Sequence, residues 1–132
     1  MSFFKNIFGE NKSEDKQNEN VEAKFFTLNK IEQFDEIDEI SHTKTVVLFK
    51  HSTRCIISRT VLKQFDAEFN FPEDKIAWYL LDLLNHRDLS NEIASRYNVV
   101  HQSPQIVVIR NGKAVFNESH DSISVEDLKQ FT

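Results

Sequence analysis

Hydrophobic positions along the chain fall into two patterns, short continuous runs and longer stripes with helical spacing. The short runs are bounded by polar or turn-forming residues, which is typical of β-strands. They predict strands at 25–28, 46–49, 76–84, 105–110 and 113–117. The run at 76–84 is the most hydrophobic and is predicted to be a central strand, whereas 46–49 is predicted to be short and fully buried.

The helical stripes predict four helices, each with a candidate N-terminal cap. The first runs from a cap at Asn29 to about Ile40, with an acidic face expected to be solvated. The second begins at Cys55, the third is capped by Asp88 or Ser90, and the last is capped by Ser124 with Asp127 as a capping-box partner. Their core-facing residues are Ile31, Phe34 and Ile37; Val61, Leu62, Phe65 and Phe69; Leu89, Ile93 and Tyr97; and Val125, Leu128 and Phe131.

The order of these elements, β-α-β-α-β-α-β-β-α, predicts an α/β fold with parallel strands and helices on both faces of the sheet. Asn111-Gly112 lies between two strand-like runs and predicts a tight hairpin, which adds an antiparallel edge. Ligand sites in such sheets lie beyond the carboxyl ends of the strands. The turn that carries Cys55 follows the second strand and therefore falls at that edge.

Composition narrows the class of protein. A chain of 132 residues with 39% hydrophobic and 28% charged residues fits one soluble domain. A net charge of -5 argues against non-specific nucleic-acid binding, and a single cysteine rules out an internal disulfide. No apolar run is long enough to span a membrane, no secretory signal is recognisable, and the expected compartment is a reducing cytoplasm.

Residues 1–24 have the composition of a flexible N-terminal tail, followed by one domain at 25–132. The segment 10–20 is almost wholly polar, which favours disorder. A small apolar cluster at the start, formed by Met1, Phe3, Phe4, Ile7 and Phe8, is interpreted as a loosely held terminus rather than a membrane or partner anchor.

Cys55 is the candidate reactive group. A helix start presents unpaired N–H groups and a partial positive charge, both of which favour a thiolate over a thiol. Lys50, Arg54, Arg59 and Lys63 flank it, and no Asp or Glu occurs from residue 41 to residue 65. The alternative is a buried, inert cysteine, which the basic surroundings make the less favoured reading.

The order of elements resembles the thioredoxin fold, a three-layer sandwich with a central mixed sheet and helices on both faces. More closely, FKHSTRCIIS at 49–58, HQSPQ at 101–105 and RNGK at 110–113 resemble the monothiol bacilliredoxin family. The active-site pattern usual in that family is Thr-Cys-Pro-Ile-Ser. This chain departs from it at Arg54, where threonine is usual, and at Ile56, where proline is usual.

The resemblance implies a catalytic Cys55 that exchanges disulfides without a second cysteine, because Ser58 stands where dithiol relatives have one. Ser58 is interpreted either as a residue that hydrogen-bonds the Cys55 sulfur or as an ordinary serine of the first helical turn. Arg54, Ser103 and Pro104 are the expected substrate-binding residues, with Pro104 preceded by a cis peptide bond. The implied partners are S-thiolated client proteins, and the implied co-substrate is an anionic small thiol such as bacillithiol, with no bound cofactor.

Two other functions stay open at this stage. A non-catalytic thioredoxin-like module that binds partners is the main alternative, since Ile56 replaces the usual proline. An iron–sulfur carrier ranks last, because the Cys-Gly-Phe-Ser pattern of monothiol glutaredoxins is absent. The five histidines show no spacing that would build a metal site with Cys55; His51 is either a group that polarises the site or a packing residue at a strand end.

Overall fold

The computed structural model describes residues 25–132, so the tail predicted for residues 1–24 lies outside the described residues. The strands are β1 (Phe26–Thr27), β2 (Thr45–His51), β3 (Ile76–Asp82), β4 (Gln105–Arg110) and β5 (Lys113–Ser119). The helices are α1 (Gln33–Ile40), α2 (Ile56–Glu68) and α3 (Arg87–Tyr97), followed by 3-10 segments at His120–Ser122 and Val125–Phe131. The final helix predicted from the sequence is therefore present, but as a 3-10 helix.

The strands form one mixed sheet in the order β1-β3-β2-β4-β5. β3 pairs in parallel with both β1 and β2, whereas β4 is antiparallel to β2 and β5 is antiparallel to β4. This confirms the predicted thioredoxin-like α/β class with its antiparallel edge. One detail differs, because the middle strand is β2, and the more hydrophobic β3 lies one position away from the centre.

Alternation along the strands builds a separate core on each face of the sheet. One core places Val46 and Leu48 of β2 against α1 and α3, where Phe34, Ile37 and Ile93 are fully buried. The other places Val47 and Phe49 against α2 and the last 3-10 helix. The second core is rich in aromatic rings, which are Phe49, Phe65, Phe69 and Trp78. α2 is therefore held on the sheet mainly through Phe65 and Phe69.

The start of α1 corrects the prediction for Asn29. The helix begins at Gln33, and its N-cap residue is Glu32, whose side chain makes no capping hydrogen bond. The Gln33 side chain instead fixes the turn before the helix: its Oε1 accepts from the N–H groups of Asn29 and Lys30, both at 2.8 Å, and its Nε2 donates to Thr27 O at 2.9 Å. A long amide side chain closes the turn from inside the helix, so the cap expected from Asn29 is not needed.

The acidic face of α1 is also only partly a solvated face. Asp38 lies 2.7 Å from the Arg96 guanidinium and accepts a hydrogen bond from the Tyr97 hydroxyl at 2.6 Å. Asp35 lies 3.5 Å from the same guanidinium. These contacts tie α1 to α3, since both Arg96 and Tyr97 belong to the last turn of α3.

The ends of the other helices confirm some caps and correct others. His86, rather than Asp88 or Ser90, is the N-cap residue of α3. Ser124 caps the last 3-10 helix by accepting from Glu126 N at 3.2 Å. Asp127 is no capping-box partner, because its side chain hydrogen-bonds Glu118, and the Ser124 N–H also donates to Glu118. Among residues 25–132, no helix is long and apolar enough to cross a membrane.

The predicted hairpin is confirmed. Arg110 pairs with Lys113, and the two residues between them, Asn111 and Gly112, both have positive φ, 54° and 74°. Positive φ at both central positions defines a type I′ turn, which Asn-Gly favours. The hairpin leaves β4 inside the sheet and β5 at its edge.

Gln33→Ala should lower the free energy of unfolding by about 1–2 kcal/mol, because it removes three hydrogen bonds whose exposed partners can partly rebind water. Urea unfolding followed by circular dichroism measures this. Gln64→Ala is the matched control, since Gln64 donates one exposed hydrogen bond to Glu68 on α2, and it should cost about 0.5 kcal/mol or less. Equal losses in the two variants would contradict the anchoring role of Gln33.

Candidate functional site

Cys55 lies at the carboxyl end of β2 and is the N-cap residue of the 13-residue helix α2. It is partly exposed. The helical ladder begins with Arg59 N–H donating to Cys55 O at 3.0 Å. The amides of residues 56–58 precede that bond and therefore point out of the helix end toward the cysteine. An N-cap side chain normally accepts from these amides, so a thiolate at this position meets donors placed to stabilise it.

Ser58 lies in the first turn of α2 and is fully buried. Its Oγ accepts from Ser52 N–H at 3.0 Å and lies 2.7 Å from His51 Nδ1. These are its side-chain hydrogen bonds within the described part of the chain, and neither goes to Cys55. The structure therefore gives Ser58 partners other than the sulfur that one of the two interpretations from the sequence gave it: it ties the end of β2 to the helix that follows the cysteine turn.

The basic residues around Cys55 do not form one cluster in space. Lys50 is fully buried in β2, where it donates to His101 Nδ1 at 2.7 Å and Gln105 Oε1 at 2.9 Å. Arg59 donates to Thr53 O at 3.0 Å, which closes the cysteine turn, and Arg54 is exposed just before Cys55. The sequence placed Lys50 with the other basic residues around Cys55, and this prediction is wrong. Successive residues of a strand face opposite sides of the sheet, so Lys50 faces the side of α1 and α3, whereas α2 packs on the other side.

The Lys50 contacts organise the loop at 100–104, and this role of Lys50 was not predicted from the sequence. Gln105 is buried, its Nε2 donates to Val100 O at 3.1 Å, and its Oε1 also accepts from Gln102 N–H at 3.3 Å. His101 Nδ1 accepts the second hydrogen bond that Lys50 donates. Burial lowers the pKa of His101, and the positive charges of Lys50 and Arg87 add to the effect. Gln105 and His101 thus fix the 100–104 segment against β2.

The same segment carries Ser103 and Pro104. Their peptide bond is cis, as the resemblance implies. Because Lys50 pairs with Gln105, Pro104 lies at the sheet edge where β2 ends at His51. Pro104 O accepts from His120 N–H at 2.9 Å, and Ser103 Oγ is buried with no hydrogen-bond partner among the described residues. The turn that carries Cys55 and the turn that carries Pro104 therefore lie at the same end of the sheet.

Two depressions flank α2. The first, of about 260 Å³, is lined by the exposed side chains of Ile56 and Ile57, continues along Val61 and Phe65, and is closed by Ile123. Ile56 and Ile57 are 70% and 57% exposed, which is unusual for side chains of this size. The second, of about 340 Å³, lies on the other side of α2 and is lined by residues that include His51, Arg59 and Lys63.

The remaining histidines have structural partners or positions. His42 Nδ1 lies 3.3 Å from Asn111 Oδ1, His86 is the N-cap residue of α3 without a side-chain capping bond, and the His120 N–H donates to Pro104 O. Within residues 25–132, no group of three or more His, Cys, Asp or Glu side chains is placed to hold a metal ion.

Comparison with known proteins identifies relatives. A sequence model described as monothiol bacilliredoxin BrxC matches residues 26–128. A solved structure described as a proposed oxidoreductase with a thioredoxin fold is 37% identical, with a TM-score of 0.68, covering 81% of this chain and 92% of that chain.

More distant solved structures share the fold. A thioredoxin from Malassezia sympodialis has 16% identity and a TM-score of 0.65, covering 86% of this chain and 92% of that one. A thioredoxin from Nicotiana alata has 14% identity and a TM-score of 0.64, covering 86% and 94%. These likenesses show the architecture, whereas the family match and the 37% identical structure support a thiol oxidoreductase-like role.

Lys50→Met should become more stable relative to the wild-type protein as pH falls from about 10.5 to about 8. Burial lowers the pKa of Lys50 from 10.5 to about 8. The unfolded lysine therefore binds its proton at higher pH than the folded one. As pH falls from about 10.5 to about 8, this difference lowers the free energy of unfolding of the wild-type protein, and below about pH 8 the loss stays constant. The relative gain should reach at most roughly 3 kcal/mol, because one pKa unit is worth about 1.4 kcal/mol.

Urea unfolding at a series of pH values measures this difference, and tyrosine ionisation affects both proteins alike. Lys113→Met, which replaces an exposed lysine of β5, serves as the control and should show no such trend. A Lys50→Met difference that stays flat between pH 8 and pH 10.5 would contradict the assignment of a buried, ionisable Lys50.

Proposed function

This chain belongs to the monothiol bacilliredoxin family, and from that premise we propose that it removes a small thiol from mixed disulfides with client proteins through Cys55. The observation that carries the proposal is the position of Cys55. It is the only cysteine of the chain, it lies partly exposed at the N-cap of α2, and a hydroxyl stands at position 58. A helix N-terminus supports a nucleophilic thiolate.

The proposed exchange takes two steps. The Cys55 thiolate attacks the small-thiol sulfur of the client mixed disulfide, the old S–S bond breaks, and the client leaves as a thiolate that takes a proton from water. Cys55 now carries the small thiol. A second small-thiol molecule, as its thiolate, attacks that sulfur, which releases Cys55 and a symmetric small-thiol disulfide. The net reaction converts the client mixed disulfide and one free small thiol into the reduced client and a symmetric small-thiol disulfide, so the incoming thiol is the reductant.

The small thiol is proposed to be bacillithiol or a similar anionic thiol, in a reducing cytoplasm. Three features support this proposal. The family match concerns bacilliredoxins. Arg54 is an exposed cation immediately before Cys55. Ser103 offers a buried hydroxyl without a protein partner beside Pro104, and buried hydroxyls normally have a partner. Arg54, Ser103 and Pro104 are therefore proposed to contact the small thiol or the client backbone.

A second candidate function is a non-catalytic module that binds partner proteins. The observation in its favour is the apolar surface next to Cys55, formed by Ile56, Ile57 and the 260 Å³ depression they line. The same surface also suits an enzyme that must hold client proteins. The two candidates differ in whether Cys55 becomes modified during the encounter.

Incubation with a bacillithiol-modified client should transfer the small thiol to Cys55 and leave the client reduced, because no other cysteine of the chain can accept it. Mass spectrometry of the intact proteins measures both products. Cys55→Ser should transfer nothing. Ser58→Cys is the matched variant: a thiol there can attack the adduct, so its small thiol should be released and an internal disulfide should appear as a loss of about two mass units. A client freed equally by Cys55→Ser would rule out the proposed nucleophile.

Ile56→Pro should keep or raise the transfer rate. Proline suits the first position of a helix, where its missing N–H is not needed, and it restores the pattern usual in the family. Ile57→Ala is the control, since it also removes exposed apolar surface but leaves the backbone donors unchanged. Transfer by Ile56→Pro but none by the wild-type protein would favour the binding module as the function of the natural chain.

A further inference from the structure

His51 and Ser58 form a buried polar pair that the proposed exchange does not use. The His51 residue is 7% exposed and Ser58 is fully buried. Their side chains meet at 2.7 Å, and the Ser52 amide donates to the same serine oxygen at 3.0 Å. An aspartate, Asp82, is the register partner of His51 on the neighbouring strand β3, so a serine, a histidine and an aspartate lie close together. Burial nevertheless prevents Ser58 from acting as a nucleophile toward a client. The pair therefore acts inside the protein.

Counting hydrogens shows that this pair has two states. The Ser58 oxygen has one hydrogen to donate, and it already accepts from the Ser52 amide. When the neutral imidazole of His51 carries its hydrogen on Nε2, which is the tautomer this inference takes, Nδ1 has none and the Ser58 hydroxyl must donate to it. When Nδ1 carries a hydrogen, His51 donates instead, and the hydroxyl hydrogen of Ser58 is free for another acceptor.

The free hydrogen has one acceptor of interest nearby. Cys55 is the N-cap residue of α2 and Ser58 is the third residue of the helix, the position toward which N-cap side chains turn. Residues 55 and 58 are three positions apart at the start of one helix, so their side chains leave the same face of its first turn, and hydrogen bonds to charged acceptors are the stronger kind. In the structure, the Cys55 side chain makes no capping hydrogen bond to the helix, and the side-chain hydrogen bonds of Ser58 go to His51 and to the Ser52 amide.

We propose that His51 is a positioning residue for the Cys55 reaction: when His51 Nδ1 is protonated, Ser58 is released to hydrogen-bond the Cys55 thiolate. The proposal rests on the proposed function only in taking Cys55 as the nucleophile. It predicts that the reactivity of Cys55 on the acid side of neutrality depends on His51 and on the Ser58 hydroxyl.

The surroundings of His51 allow it to titrate. The 340 Å³ depression beside α2 reaches His51, so protons have access. The charged groups that face it are Arg59, Lys63 and Asp66 from α2 and Asp82 from β3. Burial lowers the pKa of His51 below its ordinary 6.5, the negative charge of Asp82 opposes this, and Arg59 adds to the lowering. The release of Ser58 is therefore expected below pH 6.5.

The test follows the rate of Cys55 alkylation by iodoacetamide between pH 4.5 and pH 9. The wild-type protein should show two inflections, and below pH 6 it should react about threefold to tenfold faster than His51→Asn, which keeps a polar atom near Nδ1 but does not titrate there. Ser58→Ala should show one inflection, and adding His51→Asn to it should change nothing further. Ser58→Thr, which keeps the hydroxyl, should retain both inflections.

Several results would overturn the proposal. One is a wild-type profile with a single inflection, and another is a second inflection that survives in Ser58→Ala, which would mean that the imidazolium charge acts on the sulfur directly. If Ser58→Ala does not fold, salt decides: a direct charge effect weakens between 0.1 M and 1 M salt, whereas a hydrogen-bond switch keeps its amplitude. The alkylation experiment uses no client protein. The His51 proposal can therefore fail while Cys55 still removes the small thiol from a client, and the two failures are distinguishable.

Discussion

Every residue of β2 is buried, and much of the remaining structure follows from covering both faces of this one strand. A strand in the middle of a sheet needs a hydrogen-bonded neighbour on each edge and a helical layer on each face. β3 and β4 supply the edges. α1 and α3 cover one face, and α2 with the C-terminal 3-10 helix covers the other. The chain can leave this packed layer only at the strand end, which is where the cysteine turn lies.

The same burial imposes a condition on the last two residues of β2. Lys50 and His51 are polar, and a polar group taken from water requires a partner. Lys50 finds Gln105 and His101 on one face, whereas His51 finds Ser58 on the other. Meeting this condition fixes the 100–104 segment and the start of α2, so the polar end of one strand positions both turns of the candidate site.

The sequence was sufficient for the features that depend on local patterns. Periodicity located the strands and helices, Asn111-Gly112 identified the hairpin, and the family resemblance located Cys55 at the start of α2 and the cis bond before Pro104. It failed where a side chain from a distant position decides the outcome. Lys50 was grouped with Arg59 because the two are close in sequence, but they lie on opposite faces of the sheet. It also missed a local contact: Gln33, rather than Asn29, fixes the turn before α1, because its longer amide reaches three backbone groups at once.

Trp78 occupies a position with a practical consequence. It is the only tryptophan of the chain, it is fully buried, and the Phe65 and Phe69 rings of the α2 region lie 4.8 and 5.6 Å from it, centre to centre. Its indole emission is sensitive to the polarity and geometry of those neighbours. The protein thus contains an intrinsic optical reporter of the contact between α2 and the sheet, located under the helix that begins at Cys55. Events at the sulfur that disturb this helix can be followed by fluorescence without attaching a dye.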